Sequence, residues 1–560
     1  MCASASPGPL NAAPRSGVDR LRRGWRRLTA MAIIVLASAP VAGAEAPLLD
    51  GMGTHRRHAS GNATAQRYFD QGMVLAWGFN PAEAARSFEA ATRLDPNCAL
   101  CFWGLAWALG PNLNSDMEPG AAPRVTAALS RARALAAKAS PADRALIAAL
   151  GARHPAAAKG VPDEEAYATR MRDAARRFPR DADMATLAAE AIMNAHPYDW
   201  WERDGKPQPW TREIVALLER ALALAPDHPG AHHYWVHLME SSADPARGLA
   251  SAQRLETLVP GSGHLLHMPA HIYMRTGRYR DASAANERSI AADARYVAQV
   301  QAQGAYLVGY AAHNQHFLWA SAAMEGRSAA AIAAARAAYR TACGPGREDR
   351  STGILQHYYA LPLYALVRFG RWSEILRDTL PPEVSEPYPT AVWHFARGMA
   401  YARTGDPAGA KRELAQLERV AADPALARVK VKNINTTAAL ARIAVLTLRA
   451  EIALAERRYA AAVADLEQAT AVEDALEYDE PHVWLAPTRH ALGAALIAAG
   501  RPAEAERVYR EDLAHYPENG WSLKGLARAL EAQGRREEAR AVEARYRAAW
   551  SRADFDLGKF

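Results

Sequence analysis

The fold this sequence predicts is an all-α superhelix of stacked helical hairpins, an α-solenoid, and three observations predict it. Ala-rich apolar periodicity of the helical kind runs from about Thr64 to the C-terminus, with almost no alternating segments of the β type. Landmark residues recur 34 apart: Pro226 and Pro260, Gly500 and Gly534, Ala505 and Ala539. The same interval separates two histidine pairs, His233/His237 and His267/His271. A fixed period of this size means that each hairpin buries its apolar face only against its neighbours, so 560 residues can form one continuous array.

In chain order, residues 1–44 read as an export signal. Arg20, Arg22, Arg23, Arg26 and Arg27 form a basic region, Leu28 to Ala39 an apolar core, and Ala42-Gly43-Ala44 a cleavage site. Cleavage would leave a soluble periplasmic chain; a retained N-terminal anchor is the alternative. The apolar run is short for a bilayer and no later segment spans one. Residues 45–63 read as a loose leader, and 64–376 as an N-terminal superhelical half. Within it, "GFNPAEAARSFEAATRLDP" (Gly78 to Pro96) is a second helix of a hairpin with its terminating proline. Residues 194–211, "NAHPYDWWERDGKPQPWT", are too irregular for a helix and predict an ordered loop packed by aromatics. Gly277, Gly326, Gly370 and Gly405 mark inter-helix turns whose irregular spacing implies some lengthened helices. Residues 377–390, "RDTLPPEVSEPYPT", hold four prolines and predict a linker between the two halves. Residues 391–560 are the C-terminal repeats, in which Gly500, Gly534, Ala505 and Ala539 are expected where paired helices approach closely.

The formal charge of +7 comes mainly from the export signal. Residues 1–44 carry six Arg and one Asp, which leaves 61 basic against 59 acidic residues. That balance makes no case for a nucleic acid or an anionic membrane as partner. Four cysteines exclude a disulfide scaffold, and Cys2 leaves with the signal. Cys98 and Cys101 have the spacing of a local disulfide or of a thiolate metal pair; no histidine follows Cys101, so haem attachment is excluded.

Nine of the eighteen histidines fall between His228 and His316. Residues four apart on a helix share a face, so His233/His237 and His267/His271 each aim two imidazoles the same way from neighbouring hairpins. Pro269 removes one helical hydrogen bond between His267 and His271 and should kink their helix.

The period, the prolines and the small turn residues together resemble the tetratricopeptide repeat superfamily over most of the mature chain. A narrower resemblance, to a group of functionally unassigned bacterial exported proteins with these repeats, rests on "DPNCALCFWGLAWALGPNLN", "GHLLHMPAHIY", "AAHNQHFLW", "YDEPHVW" and "NGWSLKGL". The chain departs from that group's pattern at Pro81 and His482. The superfamily's register places Gly230, His233, His237, Glu240 and Ser241, then His264, His267, His271, Met274 and Arg275, on the first helices that line the concave groove. His313 and His316, one turn apart, are expected to join from the next helix.

Neutral imidazoles on rigid helices suit a transition metal, Zn(II) or Cu above all, with Glu240 as ligand or orienting group. The predicted site is therefore His233, His237, Glu240, His264, His267, His271, His313 and His316, holding a metal ion or a metal-bearing ligand. The leading alternative is a scaffold whose groove takes a peptide or partner protein without metal. A metal-dependent enzyme would need a general base, for which Glu240 is the nominee. The sequence shows no HExxH, G-x-S-x-G, glycine-rich phosphate loop or paired-carboxylate signature. Asp479-Glu480 reads as a cap or turn before Pro481 rather than an acid pair.

Overall fold

The structure is a computed structural model that describes residues 46–155, 160–203, 205–300, 306–343, 352–377, 386–484 and 486–557. The export signal and most of the 377–390 segment lie outside them. The described chain is a succession of antiparallel helical hairpins with one two-residue β-ladder, Lys430–Val431 against Asn435–Thr436.

Local chemistry sets the helix starts. Asn62 accepts from the Thr64 and Ala65 amides to open Ala63–Trp77, and Asn80 followed by Pro81 opens Pro81–Leu94. His228 followed by Pro229 opens Pro229–Glu240, and Ser262 caps Gly263–His267. The chain then continues as Pro269–Arg275, so Pro269 breaks the helix where the missing donor predicts it. Gly500 and Gly534 correct the close-approach expectation. A Cβ on either would meet open space, and both have positive φ (74° and 77°), so they are used for the left-handed turn between helices. Ala505 and Ala539 are the buried contacts. The close approaches lie elsewhere, at Gly72 and Gly104, where a Cβ would come within 2.8 and 2.4 Å of the Phe88 ring.

Two expectations about organisation change, and a closure of the superhelix is added. Residues 46–62 are not loose. Arg57 reaches Asp143, Asp181 and Asp183 at 2.9–3.1 Å, Leu49 donates to Gln71 at 2.7 Å, and the Tyr68 hydroxyl donates to the Ala46 carbonyl. One guanidinium facing three carboxylates ties the segment down. The core does not divide at 377–390 either: Ile375, Tyr388 and Phe395 belong to one apolar cluster running from Tyr279 to Leu557. Helix Pro387–Arg403 starts inside the expected linker. Lastly, the superhelix closes on itself. The Trp521 indole donates to the Ala323 carbonyl (2.8 Å), Asp554 accepts from the Ser328 and Ala329 amides, and Arg203 donates to the Asp474 and Leu476 carbonyls. The 194–211 loop is packed by aromatics. Trp200 is fully buried, His196 stacks on Trp210 at 3.6 Å, and the Trp201 indole donates to the Leu238 carbonyl.

Helix Tyr279–Val300 supports the histidine helices from outside, with Asp293 packed against Gly263. Burial pushes the Asp293 carboxyl up to about 6, against donors from Tyr306 and Asn314 at 2.7 Å that favour its ionised form. A folded-state value above the unfolded one of 3.8 means that the native state binds the proton more tightly. Stability is therefore expected to fall as pH rises from about 4 to 6, by up to about 3 kcal/mol, and to level off above. Urea unfolding of the parent and of Asp293→Asn across that window checks it; equal slopes in the two proteins would exclude Asp293 as the source.

Candidate metal centre

His233 and His237 lie on helix Pro229–Glu240, His264 and His267 on Gly263–His267, His271 on Pro269–Arg275, and His313 on Ala312–Met324. His313 keeps some exposure; the other five are at most 3% exposed. The predicted concave groove is a buried chamber, met by residues 474–484 of the returning C-terminal repeats. Glu480 reaches His271 Nδ1 at 2.7 Å, and the Arg275 guanidinium sits over the Tyr478 ring.

The structure divides the predicted set into two trios. Ring nitrogens of His233, His237 and His264 lie within 4.8 Å of one another, and those of His267, His271 and His313 do likewise. The Pro269 break does not separate its pair: His267 and His271 Nε2 atoms are 2.8 Å apart. In the first trio the Nε2 atoms of His233 and His264 are 3.1 Å apart. Two nitrogen ligands on a tetrahedral Zn(II) with bonds near 2.1 Å sit about 3.4 Å apart, so both spacings need only small adjustment.

Outer partners fix which nitrogen faces inward. His233 Nδ1 meets the Trp77 carbonyl at 2.5 Å and His237 Nδ1 meets Glu240 Oε1 at 2.9 Å. Both partners only accept, so each Nδ1 carries the proton and each Nε2 presents a lone pair. His237 Nε2 and His264 Nδ1 are buried with no hydrogen-bond partner among the described residues. His267 Nδ1 donates to Asn286 Oδ1 at 2.7 Å, an amide oriented by its own donation to the Ala282 carbonyl. His271 Nδ1 meets Glu240 Oε2 at 2.5 Å as well as Glu480. Glu240 thus gives one oxygen to each trio and orients imidazoles, and its carboxylate also lies within 4.8 Å of ligand atoms of His271 and Glu480 in a third cluster that could hold an ion.

The electrostatics follow from burial and neighbours. Burial first, then the other imidazoles, lowers His233 and His264 well below the ordinary value; burial with His271 lowers His267. Burial would lower His271 too, but Glu240 and Glu480 outweigh it and lift that imidazole to about 10. Burial would raise Glu240, yet His271 and His237 hold it well below the usual carboxylate range.

His316 does not join. Its ring neighbours are Trp319, His357 and Tyr358, and it belongs to neither trio. His55, Asp183 and His228 also cluster. However, His228 Nδ1 accepts from the Ala231 amide as a helix cap, which leaves Nε2–H to donate to Asp183 at 3.0 Å. That nitrogen has no lone pair for an ion. Sequence reasoning missed four contributors: Glu480, Asn286, Phe79 and Tyr198. The Phe79 ring lies 4.4 Å from His233 and stacks on His237 and His264, while Tyr198 meets His237 edge-on at 6.2 Å. Both have positive φ (52° and 57°), a strained conformation that persists only where surrounding structure imposes it. Cys98 and Cys101 form a disulfide at the start of helix Ala99–Leu109.

Residues 496–549, the last hairpins with the 34-residue period, match the family model described as tetratricopeptide repeat. This stretch of the chain is a tetratricopeptide repeat. No curated protein matches its sequence. Solved structures that match this helical superhelix include a human IFIT1 dimer with PPP-AAAA, 13% identical over 87% of this chain and 91% of that one, with a TM-score of 0.30. The APC/C hetero-tetramer Cut9–Hcn1 is 11% identical over 89% and 80%, with a TM-score of 0.35. Yeast Tom70 is 12% identical over 86% and 89%, with a TM-score of 0.28. Overlaps this loose carry nothing about function. Among the described residues no helix is long and apolar enough to cross a membrane.

Proposed function

We propose that this tetratricopeptide scaffold is a transition-metal binder whose ion sits on His233, His237 and His264. One observation carries the reading: the inward lone pair of His237 Nε2, its tautomer set by Glu240, is buried without a hydrogen-bond partner among the described residues, beside two further imidazole nitrogens. Leaving such an atom unpaired costs about 1–3 kcal/mol, which a bound ion would recover. Imidazole donors favour Zn(II) or Cu. A peptide in this groove is the weaker reading, because the chain's own residues 474–484 already occupy that face. Export through residues 1–44 belongs to the same proposal, supported by the Cys98–Cys101 disulfide, a bond suited to an oxidising compartment.

The test is elemental analysis of untagged protein beside His233→Ala/His237→Ala, with Zn(II) and Cu titration of chelator-treated samples. Metal retained by the parent and lost in the variant supports the site. A parent that carries no metal and takes up neither ion ends the reading.

A further inference from the structure

The first trio has a copy one repeat along the chain. His267 and His271 follow His233 and His237 at the 34-residue interval. Each pair is joined by one histidine from the next groove-lining helix, His264 for the first and His313 for the second. The outer arrangement repeats as well. In each pair the leading histidine donates Nδ1–H to an amide carbonyl, the Trp77 backbone or the Asn286 side chain, and the second meets a carboxylate.

One substitution breaks the translation and is compensated from elsewhere. The repeat counterpart of Glu240 is Met274, which supplies no acceptor for His271. Glu240 therefore extends its second oxygen across, and Glu480 arrives from the far end of the superhelix to reach the same nitrogen. A carboxylate brought in from that distance restores to His271 the outer partner that His237 has on its own helix. Its loop is held in place: Lys432 reaches Asp479 at 3.0 Å and also donates to the Glu480 carbonyl, and Asn435 donates to the Glu477 carbonyl.

The two trios adjoin. Ring centroids are 6.0 Å apart between His264 and His267 and 5.9 Å between His237 and His271, only about 1 Å more than the closest pairs within each trio. We propose that the chamber holds two divalent transition-metal ions, one on His233, His237 and His264 and a second on His267, His271 and His313, with Glu240 orienting a ligand of each. This rests on the metal reading of the first trio. Three protein ligands leave each ion an open coordination position, as in catalytic rather than structural zinc sites. The Tyr310 ring, 4.9 Å from His264, and Tyr198, 40% exposed beside His237, flank the first trio.

The experiment loads the chelator-treated full chain with Co(II) and Cu(II) and measures ions per chain, together with the Cu(II) paramagnetic resonance spectrum. Three proteins are compared: the parent, His233→Ala/His237→Ala and His267→Ala/His313→Ala. Expected are two ions in the parent, with the broadened signal of two spins in one chamber, and one ion with an isolated-spin signal in each variant. One ion in the parent, lost in the first variant and kept in the second, overturns the two-ion centre while leaving the single site standing. No ion in the parent overturns both readings. Two uncoupled ions, or two ions that neither variant reduces to one, place them outside the chamber and also overturn it. The parent's stoichiometry and spectrum decide the matter even where a variant fails to fold.

Discussion

Glu240→Ala is expected to lower the stability of the metal-free protein by about 3–5 kcal/mol, the range for removing one partner of a buried ion pair. Glu240 is 1% exposed, and its carboxylate meets His237 Nδ1 at 2.9 Å and His271 Nδ1 at 2.5 Å. In the metal-free protein His271, lifted to about 10, is an imidazolium at neutral pH, and an ion on the second trio would displace its Nε2 proton. Without Glu240 that buried charge faces Glu480 alone, and His237 loses the acceptor that fixes its tautomer. The proton of His237 is then free to move to Nε2, which removes a lone pair from the first trio. Metal affinity should fall about 10–100-fold, the usual effect of losing an outer partner of a ligating histidine. Glu240→Gln keeps an acceptor oxygen for one histidine and loses the charge, so it should fall between parent and Ala. Urea unfolding of the metal-free proteins and Zn(II) titration measure the two effects. A loss below about 1 kcal/mol with unchanged affinity would show that Glu240 neither pairs His271 nor orients His237.

The sequence made the repeat and the histidine pairs legible because both are local. A 34-residue interval and an i,i+4 spacing survive in one dimension, and the helix starts at Asn62, Asn80, Ser262 and Pro229 follow from neighbouring residues. What stayed hidden is what the closed superhelix brings together. Glu480 reads as a turn residue until the C-terminal repeats fold back over the chamber. The leader reads as loose because Arg57 finds Asp143, Asp181 and Asp183 only after three distant helices have stacked. His316 was grouped with His313 because they are three residues apart, but that interval turns the side chain by about 60°. On a helix buried on both sides the turn is enough: His313 faces His267, and His316 faces His357. Phe79 and Tyr198 carry no motif at all; their left-handed backbone is visible only in three dimensions.

Closure of the superhelix is the physical condition for the second trio's outer carboxylate, and Trp521 should be where closure is weakest to attack. Its indole donates to the Ala323 carbonyl at 2.8 Å, the Arg368 guanidinium lies 3.7 Å from its ring, and Trp550 and Phe555 pack against it at 5.6 and 5.7 Å. Trp550 in turn lies over Gly326 and Gly520, where a Cβ would sit 2.3 and 1.8 Å from its ring. Trp521→Ala should therefore cost about 3–5 kcal/mol, as for other large aromatic deletions from a core. Trp521→Phe, which keeps a ring and loses the N–H, should cost mainly the desolvated Ala323 carbonyl, about 1–3 kcal/mol. The two variants differ in reach as well as size. Loss of the ring frees the last hairpins to swing away, and residues 474–484 with them, so amide exchange there should accelerate in Trp521→Ala and much less in Trp521→Phe. Without Glu480 in place, His271 keeps only Glu240, and Zn(II) affinity should weaken at the second trio while the first, whose outer acceptors are the Trp77 carbonyl and Glu240, keeps its own. Unchanged exchange at 474–484 in the Ala variant would mean that Arg203 and Lys432 hold that segment over the chamber independently of the C-terminal hairpins.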